Sequence, residues 1–213
     1  GEIAQQAKKQ YPHTLIAGGL PPQNFTYKAD LRPENEIYND FYSQAIILNQ
    51  YVDFFYLDVL SSVKEFQIAI NCIKEFNKPY LIGAHISEGK SLPSGEKISE
   101  IITKINHVKL LGLILSCVSP ENYELNMEEV KKLGVPFGFK LNGFIETNPK
   151  PNYTDTYNIS KTGNPNELLG KREDLTPEKM SRFAKKFKDA GATIIGGCCE
   201  TRPSHIEAFS KLI

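Results

Sequence analysis

The chain of 213 residues carries 25 basic and 25 acidic side chains, so its formal net charge is zero. Without a basic stripe, nothing favours a nucleic acid as partner, and no apolar run reaches the roughly 20 residues that span a bilayer. We therefore expect neither a nucleic acid nor a membrane as partner. Four cysteines, two of them adjacent, do not make a disulfide framework, which favours a reducing, cytoplasmic setting.

In chain order, apolar strands alternate with helical patterns. The predicted strands cover 13–19, 52–57, 78–84, 110–116 and 135–141, and a sixth begins at Ala192. The predicted helices cover 2–10, 34–50, a segment capped by Ser61 or Ser62, 95–108 with Ser94 as N-cap, 119–133 and 176–191, and a last helix begins at Pro203. A polar stretch rich in Pro and Asn, 148–175, interrupts this alternation before the last three elements.

Six apolar strands, each followed by a helix, predict a parallel α/β sheet that is buried on both faces. Two architectures satisfy this pattern, a TIM barrel and an open doubly wound sheet. A barrel has eight βα units in about 250 residues, so a count of six by itself favours the open sheet. No change of composition marks a second domain.

The last predicted strand leads into two glycines and two cysteines, Gly196 to Cys199. Adjacent side chains on a strand point to opposite faces, but glycines let the backbone bend so that both thiols reach one point. Cys117 closes the fourth strand at the same edge of the sheet. Three thiols at one point are typical of a zinc site with one open position. The remaining cysteine, Cys72, lies at a buried position in the middle of a helix.

Other interpretations of these residues stay open on the residues alone. Cys117 could be an ordinary core residue, and the pair Cys198-Cys199 could be inert or a strained, redox-active disulfide. Asp58, at the end of the second strand, could bind a ligand or cap the next helix. Asn142 could equally belong to a turn or contact a ligand. All four histidines are interpreted as structural or surface residues.

The segment 191–206 resembles the terminal signature of the homocysteine S-methyltransferase family, and Gly-Gly-Cys-Cys is its most specific part. Further matches cover nearly the whole chain: Thr176-Pro177-Glu178, Cys117, Gln44 and Asn142-Gly143-Phe144. The resemblance implies a (βα)8 TIM barrel, of which this chain supplies about six units. It also implies Zn²⁺ held by Cys117, Cys198 and Cys199.

Compared with the family, the chain lacks the first two strands, including the Asp-Gly-Gly that contacts the amino acid substrate. We expect 1–213 to form one barrel domain that is incomplete at its N-terminus and could form oligomers through the uncovered edge. Asp58 stands where the family has a glutamate that receives the substrate amine. Ser116 replaces an asparagine, and Glu200 replaces a glycine. Three residues are expected to contact the substrate: Asp58, Asn142 and Gly18.

The implied activity is zinc-dependent methyl transfer to the thiol of homocysteine, or of a close thiol or selenol analogue, which forms methionine. A metal-bound thiol is deprotonated and can attack a small-molecule methyl donor, so no protein nucleophile is expected. Two alternatives remain. One is a non-catalytic or decayed family member that binds zinc or thiols, and the other is a thiol-redox protein that uses Cys198-Cys199.

Overall fold

The computed structural model describes residues 1–86, 89–146 and 169–212, and six parallel strands form its centre. The strands are β1 Ala17–Leu20, β2 Phe54–Leu60, β3 Tyr80–Ala84, β4 Leu110–Val118, β5 Phe137–Leu141 and β6 Ile194–Gly197. Their order in the sheet is their order in the chain, β1 to β6. A doubly wound sheet reverses its strand order at a switch point, so the open-sheet alternative is wrong. The six strands form the wall of a partial TIM-type barrel.

Helices cover one face of this wall. In the described part of the chain they are α1 Glu2–Gln10, α2 Glu34–Leu48, α3 Val63–Ile73, α4 Ile98–Lys104, α5 Pro120–Val130, α6 Pro177–Asp189 and α7 Pro203–Ser210. Single 3₁₀ turns, Lys74–Phe76 and Lys131–Leu133, follow α3 and α5. Over the described ranges, no helix is both long and apolar enough to cross a membrane.

Side-chain caps set the start of three helices, as the sequence predicts. Ser62, Ser119 and Thr176 each accept a hydrogen bond from the backbone N–H three residues further on. The prediction for α4 is wrong, because the helix begins at Ile98 and Ser94 does not cap it. The Ser94 hydroxyl instead donates to Glu96.

The hydrophobic core lies between the helices and the outer face of the sheet. One cluster of rings in this core joins Tyr123, Phe139 and Phe187, whose centroids lie 4.6–5.4 Å apart. All three side chains are fully buried. Burial of one such ring contributes about 1.5–3 kcal/mol, so this packing fixes how the helices sit on the wall. Alternate residues of each strand point the other way, to what we call the inner face.

Two strands extend further than predicted because each contains a bulge. In β2, Val59 has a left-handed φ of 62° and the pairing with β3 shifts between Leu57 and Leu60. Asp58 therefore lies inside β2 and not at its end. It does not cap α3, since Ser62 does. Most of the predicted polar stretch 148–175, namely 148–168, lies outside the described residues, and a single domain over 1–213 stays a prediction.

Candidate metal centre

Three cysteines from distant parts of the chain meet at one end of the barrel wall, and we call them the cysteine cluster: Cys117, Cys198 and Cys199. Their Sγ atoms all lie within 4.8 Å of one another. The Cys117–Cys199 and Cys198–Cys199 separations are 3.8 and 3.9 Å. Around a tetrahedral zinc ion with Zn–S bonds of about 2.3 Å, two sulfurs lie about 3.8 Å apart. Two of the three separations therefore match those around a tetrahedral zinc ion, and the cluster can hold a soft metal ion.

A bulge in β4 aims Cys117 into the cluster. Regular alternation would place Cys117 on the face opposite to Ser116, toward the helices. Cys117 instead has a left-handed φ of 55°, and the pairing with β5 shifts between Ser116 and Val118. Ser116 and Cys117 thus reach the inner side in succession, while Val118 returns to the core between sheet and helices. A non-glycine residue held at a strained φ is typical of a functional site.

The turn after β6 presents the other two thiols. The Cys198 amide donates to the Leu141 carbonyl at 2.6 Å, and the Thr201 hydroxyl donates to the Cys198 carbonyl at 2.6 Å. A Cβ at position 197 would lie only 2.5 Å from the Thr201 hydroxyl, so glycine is required there for Thr201 to pack against the backbone of β6. Glu200 is the residue of this turn with a left-handed backbone, at a φ of 60°, whereas Gly196 and Gly197 do not have a positive φ. The glycines therefore provide space and not the unusual angle that we predicted.

Two side chains hold Cys117 from outside the cluster. The Tyr27 hydroxyl lies 3.3 Å from Cys117 Sγ, and the Tyr27 ring packs on the buried His85 at 4.2 Å. The Asn142 amide donates to the Cys117 carbonyl at 2.7 Å and lies 3.8 Å from its sulfur. Asn142 thus lies beside the cluster and contacts Cys117, whereas the contact to substrate that the sequence suggested stays a prediction. Sequence reasoning missed Tyr27, which lies in a loop without any pattern.

The thiols are protonated at neutral pH in the absence of a metal. The contact with the Cys117 thiol, together with burial, raises the pKa of Cys198 to about 12, against the opposing effects of Cys199 and of the Lys140 charge. The pKa values of Cys117 and Cys199 are raised to about 12 as well. A metal ion must therefore displace protons when it binds, as is usual for cysteine sites. All four cysteines of the chain are free thiols, and Cys72 is buried in α3 as predicted.

A second polar group lies on the inner face next to the cysteine cluster. Lys140 Nζ contacts both carboxylate oxygens of Asp58, at 2.7 and 2.6 Å, and lies 5.0 Å from the centre of the Tyr56 ring. The Tyr56 hydroxyl in turn hydrogen-bonds to Ser116. The space for the hydroxyls of Tyr56 and Ser116 exists because β3, which lies between their strands, has glycine at position 83. A Cβ on Gly83 would lie 2.5 Å from the Ser116 hydroxyl and 2.6 Å from that of Tyr56. Sequence reasoning missed Lys140, because a lone lysine inside an apolar strand carries no signal of a partner 82 residues away.

The structure separates the three predicted substrate contacts. Asp58 and Asn142 lie on the inner side near the cysteine cluster. Gly18 faces the opposite way, since a Cβ built on it would contact Val52 and Phe55 of the core at 3.1–3.4 Å. The next residue, Gly19, is the one that faces open space on the inner side.

The sequence is similar to those of known homocysteine S-methyltransferases. Homocysteine S-methyltransferase 1 from Zea mays is 25% identical over 194 residues, which are 88% of this chain and 55% of that protein. Homocysteine S-methyltransferase 1 from Saccharomyces cerevisiae is 25% identical over 202 residues, 92% of this chain and 56% of that protein. The chain thus spans about half the length of these relatives.

Among solved structures, the metallated form of the homocysteine methyltransferase MmuM from Escherichia coli has the same fold. It superposes with a TM-score of 0.75 at 16% identity, over 99% of this chain and 67% of that one. The sequence model of the homocysteine S-methyltransferase family matches residues 1–213. With a match over its whole length and a cysteine cluster that can hold a metal, this chain belongs to the homocysteine S-methyltransferase family.

Proposed function

We propose that the full-length protein transfers a methyl group from a small-molecule donor to the thiol of homocysteine, or of a close thiol or selenol analogue. We further propose that Cys117, Cys198 and Cys199 hold a zinc ion for this reaction. The observation that carries the proposal is the spacing of their sulfurs, 3.8 and 3.9 Å, which matches the spacing around a tetrahedral zinc ion.

A zinc ion at this position would supply a Lewis acid that keeps a thiol deprotonated at neutral pH, where a free thiol is mostly protonated. The chain itself contributes position and charge. Tyr27 and Asn142 hold Cys117 in place, and Lys140 offsets part of the negative charge of three thiolates. Asp58 and Asn142 are proposed to contact the substrate, together with Gly19 of β1, because Gly19 and not Gly18 faces open space on the inner side. No side chain is proposed as a nucleophile, because the substrate sulfur takes that role.

The reaction is proposed to run in the cytoplasm, where free thiols such as the four of this chain persist. The barrel edge as a site of oligomerisation stays a prediction. The methyl donor is open, so a panel is needed: S-methylmethionine, S-adenosylmethionine, betaine and a methylfolate.

The test is a methyl-transfer assay on the reduced, zinc-loaded full-length protein with homocysteine and this panel, with methionine as the measured product. Cys198→Ala should lose zinc and all activity. Cys72→Ser is the matched control, because it removes a buried thiol far from the cysteine cluster and should retain zinc. A protein that binds one zinc ion but forms no methionine with any donor would support the non-catalytic alternative. Absence of zinc with reversible oxidation of Cys198-Cys199 would support the redox alternative.

A further inference from the structure

The carboxylate of Asp58 already has a cationic partner within the protein. Lys140 Nζ lies 2.7 and 2.6 Å from its two oxygens, and both side chains are about a quarter exposed or less, at 20% and 25%. The Tyr56 ring lies beneath the ammonium group at 5.0 Å. A substrate ammonium group that approaches Asp58 would therefore meet an ion pair and not a lone carboxylate.

This ion pair lies close to the proposed metal. Lys140 is paired in the sheet with Ser116, which precedes Cys117, and with Gly196, which lies two residues before Cys198. Gly196 has no side chain, so the β6 side of Lys140 is left open. Burial lowers the pKa of Lys140, but the Asp58 carboxylate and the thiolates that a bound metal would create at Cys198 and Cys117 raise it by more.

The ion pair retains unused hydrogen-bonding capacity. An ammonium group has three N–H donors, and the two oxygens of Asp58 accept two of them. Within the described residues, Lys140 Nζ has no other hydrogen-bond acceptor. A carboxylate can accept about four hydrogen bonds, so Asp58 keeps free lone pairs as well. A free donor beside free acceptors, both partly exposed, is complementary to the carboxylate and ammonium groups of an α-amino acid.

We propose that Lys140 is a specificity-determining residue that binds the carboxylate of the amino acid thiol, beside the substrate contact already proposed for Asp58. This inference rests on the proposed function and adds to it the residue that would recognise the carboxylate of the substrate. Asp58 alone would select any thiol with an amino group. The pair also requires the carboxylate, since its loss would leave the third Lys140 N–H without an acceptor.

Three thiols separate the two contacts: homocysteine, 4-sulfanylbutanoate, which lacks the amino group, and 3-sulfanylpropylamine, which lacks the carboxylate. Their affinities for the zinc-loaded full-length protein are measured by isothermal titration calorimetry, without a methyl donor. Lys140→Met should weaken 4-sulfanylbutanoate roughly ten- to a hundredfold, as expected for a hydrogen bond between charged groups, and should not weaken 3-sulfanylpropylamine. Asp58→Asn should do the reverse.

Lys185→Met is the matched control, since this lysine lies on α6 with a side chain 64% exposed, and all three affinities should stay unchanged. Equal effects of Lys140→Met on the acid and the amine, or no effect on either, would overturn the inference and leave the proposed function intact. If the wild-type protein binds none of the thiols, both fail. Should Lys140→Met not fold, Lys140→Gln takes its place, and an unchanged preference between acid and amine in that variant overturns the inference.

Discussion

The hydroxyl of Tyr27 offers a sharp test of the cysteine cluster, because its removal changes no metal ligand. It lies 3.3 Å from Cys117 Sγ, and Tyr27 is 5% exposed. In the metal-bound state the sulfur is a thiolate, so the hydroxyl donates to a charged acceptor. We expect Tyr27→Phe to weaken zinc binding while the fold is retained.

The size of the effect follows from that single buried hydrogen bond. A hydrogen bond to a charged group contributes about 1.5–3 kcal/mol, which is roughly a ten- to hundredfold change in affinity. Removal of a residue that hydrogen-bonds to a metal ligand typically lowers metal affinity by a similar factor, about ten- to a hundredfold. The assay is a competition for zinc between the reduced full-length protein and a chromophoric chelator at fixed pH.

Tyr123→Phe is the matched control. Tyr123 is fully buried between β5 and α6, and its hydroxyl has no hydrogen-bond partner within the described part of the chain. This variant should bind zinc as the wild type does. Equal zinc affinity in the wild type and Tyr27→Phe would refute the role of the hydroxyl. An equal loss in both variants would show that the effect is one of general stability.

Three further predictions concern protons and packing. Zinc affinity should rise steeply with pH between 6 and 8, because three thiols with pKa values near 12 must each release a proton when the metal binds. The rise can reach about a thousandfold per pH unit, a factor of ten for each proton. Calorimetry in buffers of different ionisation enthalpy counts the released protons, and a binding heat that does not depend on the buffer would contradict this prediction. Burial raises the pKa of Glu65, so the folded protein holds its proton more tightly than the unfolded chain and stability falls as pH rises above the ordinary 4.5. Urea unfolding of Glu65→Gln should lack this decline. Gly83→Ala should destabilise the protein by about 1–3 kcal/mol, because its Cβ would lie 2.5 Å from the Ser116 hydroxyl and 2.6 Å from that of Tyr56. Gly19→Ala meets nothing within 4 Å and should be nearly neutral in the same urea titration.

Much of the fold was predictable because it depends on local patterns. Apolar runs of strand length and the periodic spacing of helices are written in neighbouring residues, and so are the capping serines Ser62 and Ser119. The boundaries of β2 and β4 were not predictable, since their bulges depend on how each strand pairs with its neighbours. The start of α4 was missed because Ser94, a good cap by type, hydrogen-bonds to Glu96 instead.

The choice between a barrel and an open sheet likewise depended on contacts that local sequence patterns do not specify. The residues alone predict six parallel βα units but not which strand lies beside which. Strand order is a property of the packed sheet, because every apolar parallel strand can pair with any other. The consecutive order of β1 to β6 in the structure makes the wall of a barrel, as the family resemblance implied.

The sequence by itself determined the elements of the site: two thiols after β6, one at the end of β4, and a carboxylate on β2. Only the tertiary structure decided what they contact. Cys117 meets Cys199 across 82 positions and Tyr27 across 90, while Asp58 meets Lys140 across 82. Sequence spacing carries no information on such contacts, because they depend on strand register and on the left-handed backbone that turns Cys117 to the inner face.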